Sequence, residues 1–109
     1  MAVPPDYALR VDACLKRGER WVTRLNDDDL DCTPGDGLLT LEFEDGTRFV
    51  LNRQSAAGQM WLAAGARAWH YNWDAARETW VDDRDGHDLY GRIAGVVGDK
   101  LGRPLTFEE

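Results

Sequence analysis

A dense run of carboxylates dominates the chemistry that this sequence can do. Asp27, Asp28, Asp29 and Asp31 lie close together, and Glu44 lies in the next predicted strand. Carboxylate oxygens are the ligands of hard cations, whereas softer divalent metals prefer imidazole and thiolate. Crowded like charges raise one another's pKa, and a bound cation relieves the repulsion. We therefore expect several weak, exposed cation sites, which iron fits as well as Mn²⁺, Ca²⁺ or Mg²⁺.

The acidity is confined to one block of the chain. Residues 26–45 hold eight acidic side chains and no basic ones, which exceeds the net charge of −7 for the whole chain. Such a block can also steer a basic protein partner without any metal, or it can be a solvated face with no ligand. An EF-hand is excluded, because Cys32 stands where the loop requires glycine and Leu38 where it requires glutamate.

Amides surround a tryptophan farther along the chain. Gln59 and Trp61 alternate with Met60 and Leu62, so a strand here puts Gln59 and Trp61 on one face and the two apolar residues on the other. Trp61 can be read as a core residue, but Gln59 on the same face argues for the open side of a sheet. An exposed tryptophan among amides is typical of an interaction hot spot. Three further polar residues fall near this face: Asn52, Gln54 and His70.

The composition excludes several classes of function. A net charge of −7 repels the phosphates of nucleic acids. No apolar run approaches the ~20 residues of a membrane helix. No Ser–His–Asp order, HExxH motif or phosphate-binding glycine loop indicates an ordinary enzyme. Cys14 and Cys32 form no CxxC pair and are predicted core residues, and the first fifteen residues show no signal-peptide pattern. We therefore expect a cytoplasmic protein.

Helical periodicity marks both ends of the chain. A helix is predicted over residues 5–25, starting at Pro4 and Pro5, with Asp12 and Glu19 along one flank of its apolar stripe. A second helix is predicted over residues 88–101, followed by the helix-ending residues Gly102 and Pro104.

Between the helices, about six segments alternate between polar and apolar residues. A turn is predicted over residues 33–37 and a hairpin at Asp45–Gly46, and another turn is expected near Arg77. Short links between consecutive strands favour an antiparallel meander. We therefore predict a single α+β domain over residues 1–109. It is a two-layer sandwich in which a six-stranded antiparallel sheet is covered on one face by the N- and C-terminal helices.

Four stretches resemble the frataxin family, specifically its bacterial members: DDDLDC, LTLEFEDG, NRQSAAGQMWLA and TWVDDRDG. The spacing of NRQ, the following Gln and WLA is the most specific of these features. The resemblance spans nearly the whole chain. It implies the frataxin fold, weak binding of Fe²⁺ or Fe³⁺ at exposed carboxylates, and a role in iron–sulfur cluster assembly. The implied partners are a cysteine desulfurase and the iron–sulfur scaffold protein.

The resemblance also implies roles for particular residues. The acids expected to bind iron are Asp12, Glu19, Asp27, Asp28, Asp29, Asp31 and Glu44. The residues expected to contact the scaffold protein are Asn52, Gln54, Gln59 and Trp61, and His70 joins them through its position in the strand. Iron donation and regulation of the desulfurase both remain open. The alternatives are a weak ferroxidase or iron store, and an acidic adaptor whose metal binding is incidental. We expect a monomer, with metal-induced oligomers as the alternative.

The first helix departs from the family pattern. Where the family is commonly acidic, this helix carries four basic residues: Lys16, Arg17, Arg20 and Arg24. We therefore expect the acids of the first strands to matter more than Asp12 and Glu19. Arg17 or Arg24 can also pair with neighbouring acids, which at an exposed position is worth ~0–1 kcal/mol.

Overall fold

A computed structural model describes residues 6–107. Its first helix, α1, spans Tyr7–Leu25. The predicted helix start at Pro4 and Pro5 lies outside the described residues. The helix ends at Asn26, which takes a left-handed conformation and donates its backbone N–H to the carbonyl of Val22.

The second helix, α2, spans Leu89–Leu101, close to the predicted bounds. Its start is fixed by Asp88, whose Oδ2 accepts a hydrogen bond of 2.9 Å from the backbone N–H of Gly91. Such a cap satisfies one of the N–H groups that the first turn of a helix leaves without a partner. Neither of the two helices is long and apolar enough to cross a membrane.

Six strands between the helices form one antiparallel sheet in the sequential order β1 to β6. The strands are β1 Leu30–Gly35, β2 Leu38–Phe43, β3 Arg48–Gln54, β4 Gln59–Ala64, β5 Arg67–Asp74 and β6 Thr79–Asp82. Helix α1 packs on β1 and β2, and α2 packs on β6. The predicted α+β sandwich with a meander is therefore confirmed.

The sheet has a helix-covered face and an open face. Alternate side chains of the central strands point to the helices and are buried, as Leu51, Leu62 and Tyr71 show. The side chains between them, such as Asn52 and Trp61, point away from both helices and are partly exposed. Side chains of the open face are thus held by a rigid sheet while remaining accessible to a partner.

The predicted turn over residues 33–37 is shorter in the structure. Strand β1 continues through Pro34 to Gly35, and only Asp36 and Gly37 form the loop. Pro34 fits because β1 is an edge strand, where a missing N–H breaks no ladder on the solvent side. Gly37 has a φ of 72°, a conformation that favours glycine.

Candidate functional site

Four carboxylates lie side by side on the open face, at the β1–β2 edge of the sheet. Asp31 is directly opposite Glu42 in the strand register, and the backbone N–H of Glu44 donates to the carbonyl of Asp29 at 3.0 Å. All four side chains are exposed. We call Asp29, Asp31, Glu42 and Glu44 the acidic patch. Glu42 was not among the predicted ligands, although its alternation with Leu41 and Phe43 placed it on this face, and its Oε2 accepts a hydrogen bond of 2.7 Å from Nε of Arg48.

The carboxyl group of Asp29 is close enough to that of Glu44 to influence the protonation of Glu44. The pKa of Glu44 is raised above its ordinary value by a hydrogen bond to the Asp29 carboxyl and by the negative charge of Asp29, and Asp28 adds to the effect. Keeping both carboxyls ionised is therefore unfavourable, so a cation binding here takes the place of a proton. This pair is the best candidate for a cation site within the acidic patch.

Changing Asp29 to Asn should bring the pKa of Glu44 back toward its ordinary value, because the negative charge that raises it is removed and the new amide N–H can donate to the ionised Glu44 carboxylate. A raised folded-state pKa contributes stability below the unfolded pKa and loses it as the pH rises through the folded value. Between the unfolded and the folded pKa of Glu44, the free energy of unfolding of Asp29→Asn should therefore fall less with rising pH than that of the wild type.

The measurement is an NMR titration of the Glu44 side chain together with urea unfolding at several pH values. Asp31→Asn is the matched control, because Asp31 is not among the groups that raise the pKa of Glu44. An unchanged Glu44 titration in Asp29→Asn would mean that the two carboxyls do not interact in solution.

Other acids near the patch are already paired with cations from the end of the chain. Asp27 accepts a hydrogen bond of 2.9 Å from Nη2 of Arg103, and Asp45 lies 2.5 Å from Nζ of Lys100. The pKa of Asp27 is lowered, first by the backbone N–H of Asp29 and then by Arg103. Asp27 is therefore less available to a metal than the prediction assumed.

The acids of α1 lie in the helix layer, away from the acidic patch. The charge of Glu19 raises the pKa of Cys32, a side chain on the helix-covered side of β1, after the larger effect of burial. Within residues 6–107, no three of the seven predicted acids bring ligand atoms within 4.8 Å of one another. Asp12 and Glu19 therefore do not complete a preformed chelate with the strand acids.

Two basic residues of α1, Arg10 and Arg17, lie against aromatic rings. The guanidinium of Arg17 lies 4.1 Å from the centre of the Tyr90 ring of α2, and that of Arg10 lies 4.0 Å from the Trp73 ring. Cation–π contacts of this kind hold the charge against the helix layer. Arg17 therefore lies against α2. The acids Asp27 and Asp45 are instead paired with Arg103 and Lys100, which lie near the C-terminus.

The predicted partner-binding residues come together near the middle of the open face. Asn52, Trp61 and His70 lie in one row across β3, β4 and β5. The Trp61 and His70 rings are stacked, with centroids 4.3 Å apart. The indole N–H of Trp61 donates to Oε1 of Gln59 at 2.9 Å, and Gln54 lies directly opposite Gln59.

Two further residues belong to this network and were not predicted. The side-chain amide of Gln59 donates to Oδ1 of Asn72 at 3.2 Å and to Oδ2 of Asp83 at 3.4 Å. Asp83 also lies 3.7 Å from Nδ1 of His70. Asn72 is two positions after His70 in β5, so the alternation of the strand placed both on the open face. Asp83 follows the end of β6, where strand periodicity predicts nothing. We call Asn52, Gln54, Gln59, Trp61, His70 and Asn72 the tryptophan patch.

Several known proteins with similar sequences share one description. The family model of the frataxin-like domain matches residues 4–103. The iron–sulfur cluster assembly protein CyaY of Thioalkalivibrio sulfidiphilus is 43% identical over 77 residues, which cover 71% of this chain and 72% of that protein. The protein of the same name from Burkholderia mallei is 34% identical over 105 residues, 94% of each chain.

Solved structures agree with these relatives. Frataxin from Psychromonas ingrahamii superposes with a TM-score of 0.86 at 27% identity, over 95% of this chain and 96% of that one. Trimeric frataxin from Saccharomyces cerevisiae has a TM-score of 0.72 at 24% identity over 86% and 80% of the two chains, which shows the shared fold alone. The chain described here belongs to the frataxin family.

Proposed function

We propose that this protein is an iron-binding accessory protein of iron–sulfur cluster assembly, acting in the cytoplasm. In this proposal it donates iron to the complex of cysteine desulfurase and scaffold protein, regulates that complex, or does both. The relatives named above are iron–sulfur cluster assembly proteins. The free thiols of Cys14 and Cys32 fit a reducing compartment.

The observation that carries the iron part of the proposal is the Asp29–Glu44 pair. Its raised Glu44 pKa reports two carboxyls that repel each other while exposed on the open face. Oxygen donors suit Fe²⁺ and Fe³⁺ as cargo, and an exposed site with few ligands binds weakly enough to release an ion.

The partner part of the proposal rests on the position of the two patches. The acidic patch lies on β1 and β2, and the tryptophan patch begins on β3, which pairs with β2. The two patches therefore adjoin on one face of the sheet. We assign a basic surface of the desulfurase to the acidic patch and the scaffold protein to the tryptophan patch, because charge steers association while an amide-flanked tryptophan supplies contact area.

A desulfurase assay with and without iron tests this function. The variant Asp29→Asn/Asp31→Asn/Glu44→Gln removes charge from the acidic patch while keeping the side-chain shapes. Asp99→Asn, an exposed acid on α2, is the matched control. We expect the wild-type protein and the control to change desulfurase activity in an iron-dependent way, and the triple variant to lose that effect.

Two other outcomes would contradict the proposal. An effect of the wild-type protein that is independent of iron and lost in the triple variant would favour the acidic adaptor. A triple variant that behaves like the wild type, at low and at physiological salt, would remove the acidic patch from the function altogether.

A further inference from the structure

The loop between β6 and α2 brings together three side chains that can ligate a metal. Asp82, Asp85 and His87 each place one ligand atom within 4.8 Å of the other two. In the described part of the chain this is the only such group of three. It lies at the β6 edge of the sheet, four to five strand spacings from the acidic patch on β1 and β2, or about 19–24 Å. It is therefore separate from the iron-binding residues proposed above.

Asp82 is a buried acid, only 5% exposed. Its Oδ1 accepts hydrogen bonds from the backbone N–H groups of Arg84 and Asp85, at 2.7 and 2.9 Å. Its other oxygen, Oδ2, accepts no hydrogen bond from residues 6–107. Burial of the residue and these two hydrogen bonds hold the carboxylate in one orientation, while Oδ2 stays available to a further ligand, so this group differs from the mobile acids of the surface.

His87 is held in one tautomer. Its Nε2 lies 2.7 Å from the hydroxyl of Tyr71 and 3.3 Å from Nε of Arg92, and its Nδ1 lies 2.6 Å from Oδ1 of Asp85. Because an arginine can only donate, Nε2 is the acceptor and Nδ1 carries the proton. His87 thus donates the Nδ1 proton to Asp85. This proton lies between an imidazole nitrogen and a carboxylate oxygen, where a metal ion can bind in its place.

We propose that Asp82, Asp85 and His87 bind a divalent transition-metal ion of the Zn²⁺ or Fe²⁺ type. One imidazole nitrogen and two carboxylate oxygens suit these ions, whereas Mg²⁺ favours an all-oxygen set. The ion replaces the proton on Nδ1. A proton is taken up at Nε2, which then donates to the Tyr71 hydroxyl oxygen, so the ring stays neutral.

Arg92 competes with the ion for this site. Its guanidinium approaches Nε2 of His87 and also lies 4.9 Å from the centre of the Trp69 ring. Metal binding requires the Arg92 contact with Nε2 to break, and the charge of Arg92 opposes a cation nearby. Removing that charge should therefore strengthen metal binding, the opposite of the effect of removing a ligand.

The test uses Zn²⁺ alone with the full chain and follows the nitrogen resonances of the histidine rings by NMR. The chain has 2 histidines, so His70 is an internal control. We expect Zn²⁺ to shift Nδ1 of His87 and to leave His70 in place, and Mg²⁺ to shift neither. Asp85→Asn and His87→Gln should weaken binding at this loop by at least about 10-fold, because losing a ligand costs no less than losing an outer-shell partner. His70→Gln should leave it unchanged, and Arg92→Gln should strengthen it severalfold.

Asp85 has an exposed side chain, so Asp85→Asn tests the site even where His87→Gln fails to fold. The proposal is wrong if saturating Zn²⁺ leaves the His87 nitrogens unshifted, if both histidines shift in parallel, or if Asp85→Asn binds Zn²⁺ as the wild type does. The test does not involve the desulfurase or the scaffold, so its result is independent of the proposed function.

Discussion

Replacing Trp61 with alanine is expected to weaken binding to the scaffold protein about 30-fold or more, the loss of about 2 kcal/mol that marks a hot spot. Trp61 lies on the open face, stacked on His70 and with its N–H held by Gln59. These contacts fix the indole before binding, so little side-chain entropy is lost when a partner covers it. Isothermal titration calorimetry with the purified scaffold protein measures the change.

The stability of the same variant separates a contact residue from a core residue. Trp61→Ala should lower the free energy of unfolding by about 1 kcal/mol, as is typical of single substitutions. Leu62→Ala, at the next position but facing the helices, should lower it by about 2–5 kcal/mol. A loss of about 3–5 kcal/mol for Trp61→Ala would show that Trp61 is a core residue. Unchanged scaffold affinity would show that the tryptophan patch is not the scaffold site.

Replacing Trp80 with alanine is expected to lower the free energy of unfolding by about 3–5 kcal/mol, a large part of the stability of a domain of this size. Trp80 is 1% exposed and packs edge-on against Tyr7, at 6.2 Å between ring centroids, and Trp73, at 5.5 Å. Both contacts tie β6 to the rest of the core. Urea unfolding followed by circular dichroism gives the value.

Trp80→Phe is the informative companion to this variant. The indole N–H of Trp80 is buried and has no hydrogen-bond partner among the described residues. Phenylalanine keeps most of the packing and removes that donor, so part of the packing loss is offset. We expect a loss well below that of Trp80→Ala. Equal losses for the two variants would indicate that the indole N–H is satisfied in solution.

Much of the fold was predictable because apolar and polar residues alternate along the strands, as a sheet with one helix-covered face requires. Leu39, Leu41 and Phe43 point to the helices in β2, and Asp29 and Asp31 point away, as the alternation predicts. The turn before β2 was misplaced, because proline and glycine mark turns in general, whereas Pro34 is tolerated in a strand at the edge of a sheet.

Site residues were predictable only where they lie in a strand with alternating apolar and polar residues. Glu42 and Asn72 lie on the open face of such strands and could have been predicted in this way. Asp27 and Arg103 are paired although they lie far apart in the chain, so no local sequence pattern predicts this contact. The distance of Asp12 and Glu19 from the strand acids was not predictable from alternation within the strands, because α1 packs on the opposite side of the sheet from the acidic patch.

Pro34 in β1 also affects the tendency of this protein to self-associate through the edges of its sheet. An exposed sheet edge offers free N–H and C=O groups to a strand of another molecule, which is the usual start of ordered aggregation. Pro34 removes one such donor from the β1 edge, and β6, at the other edge, is only 4 residues long. A face that must stay uncovered for partners is thereby combined with two edges that are poor templates for further strands.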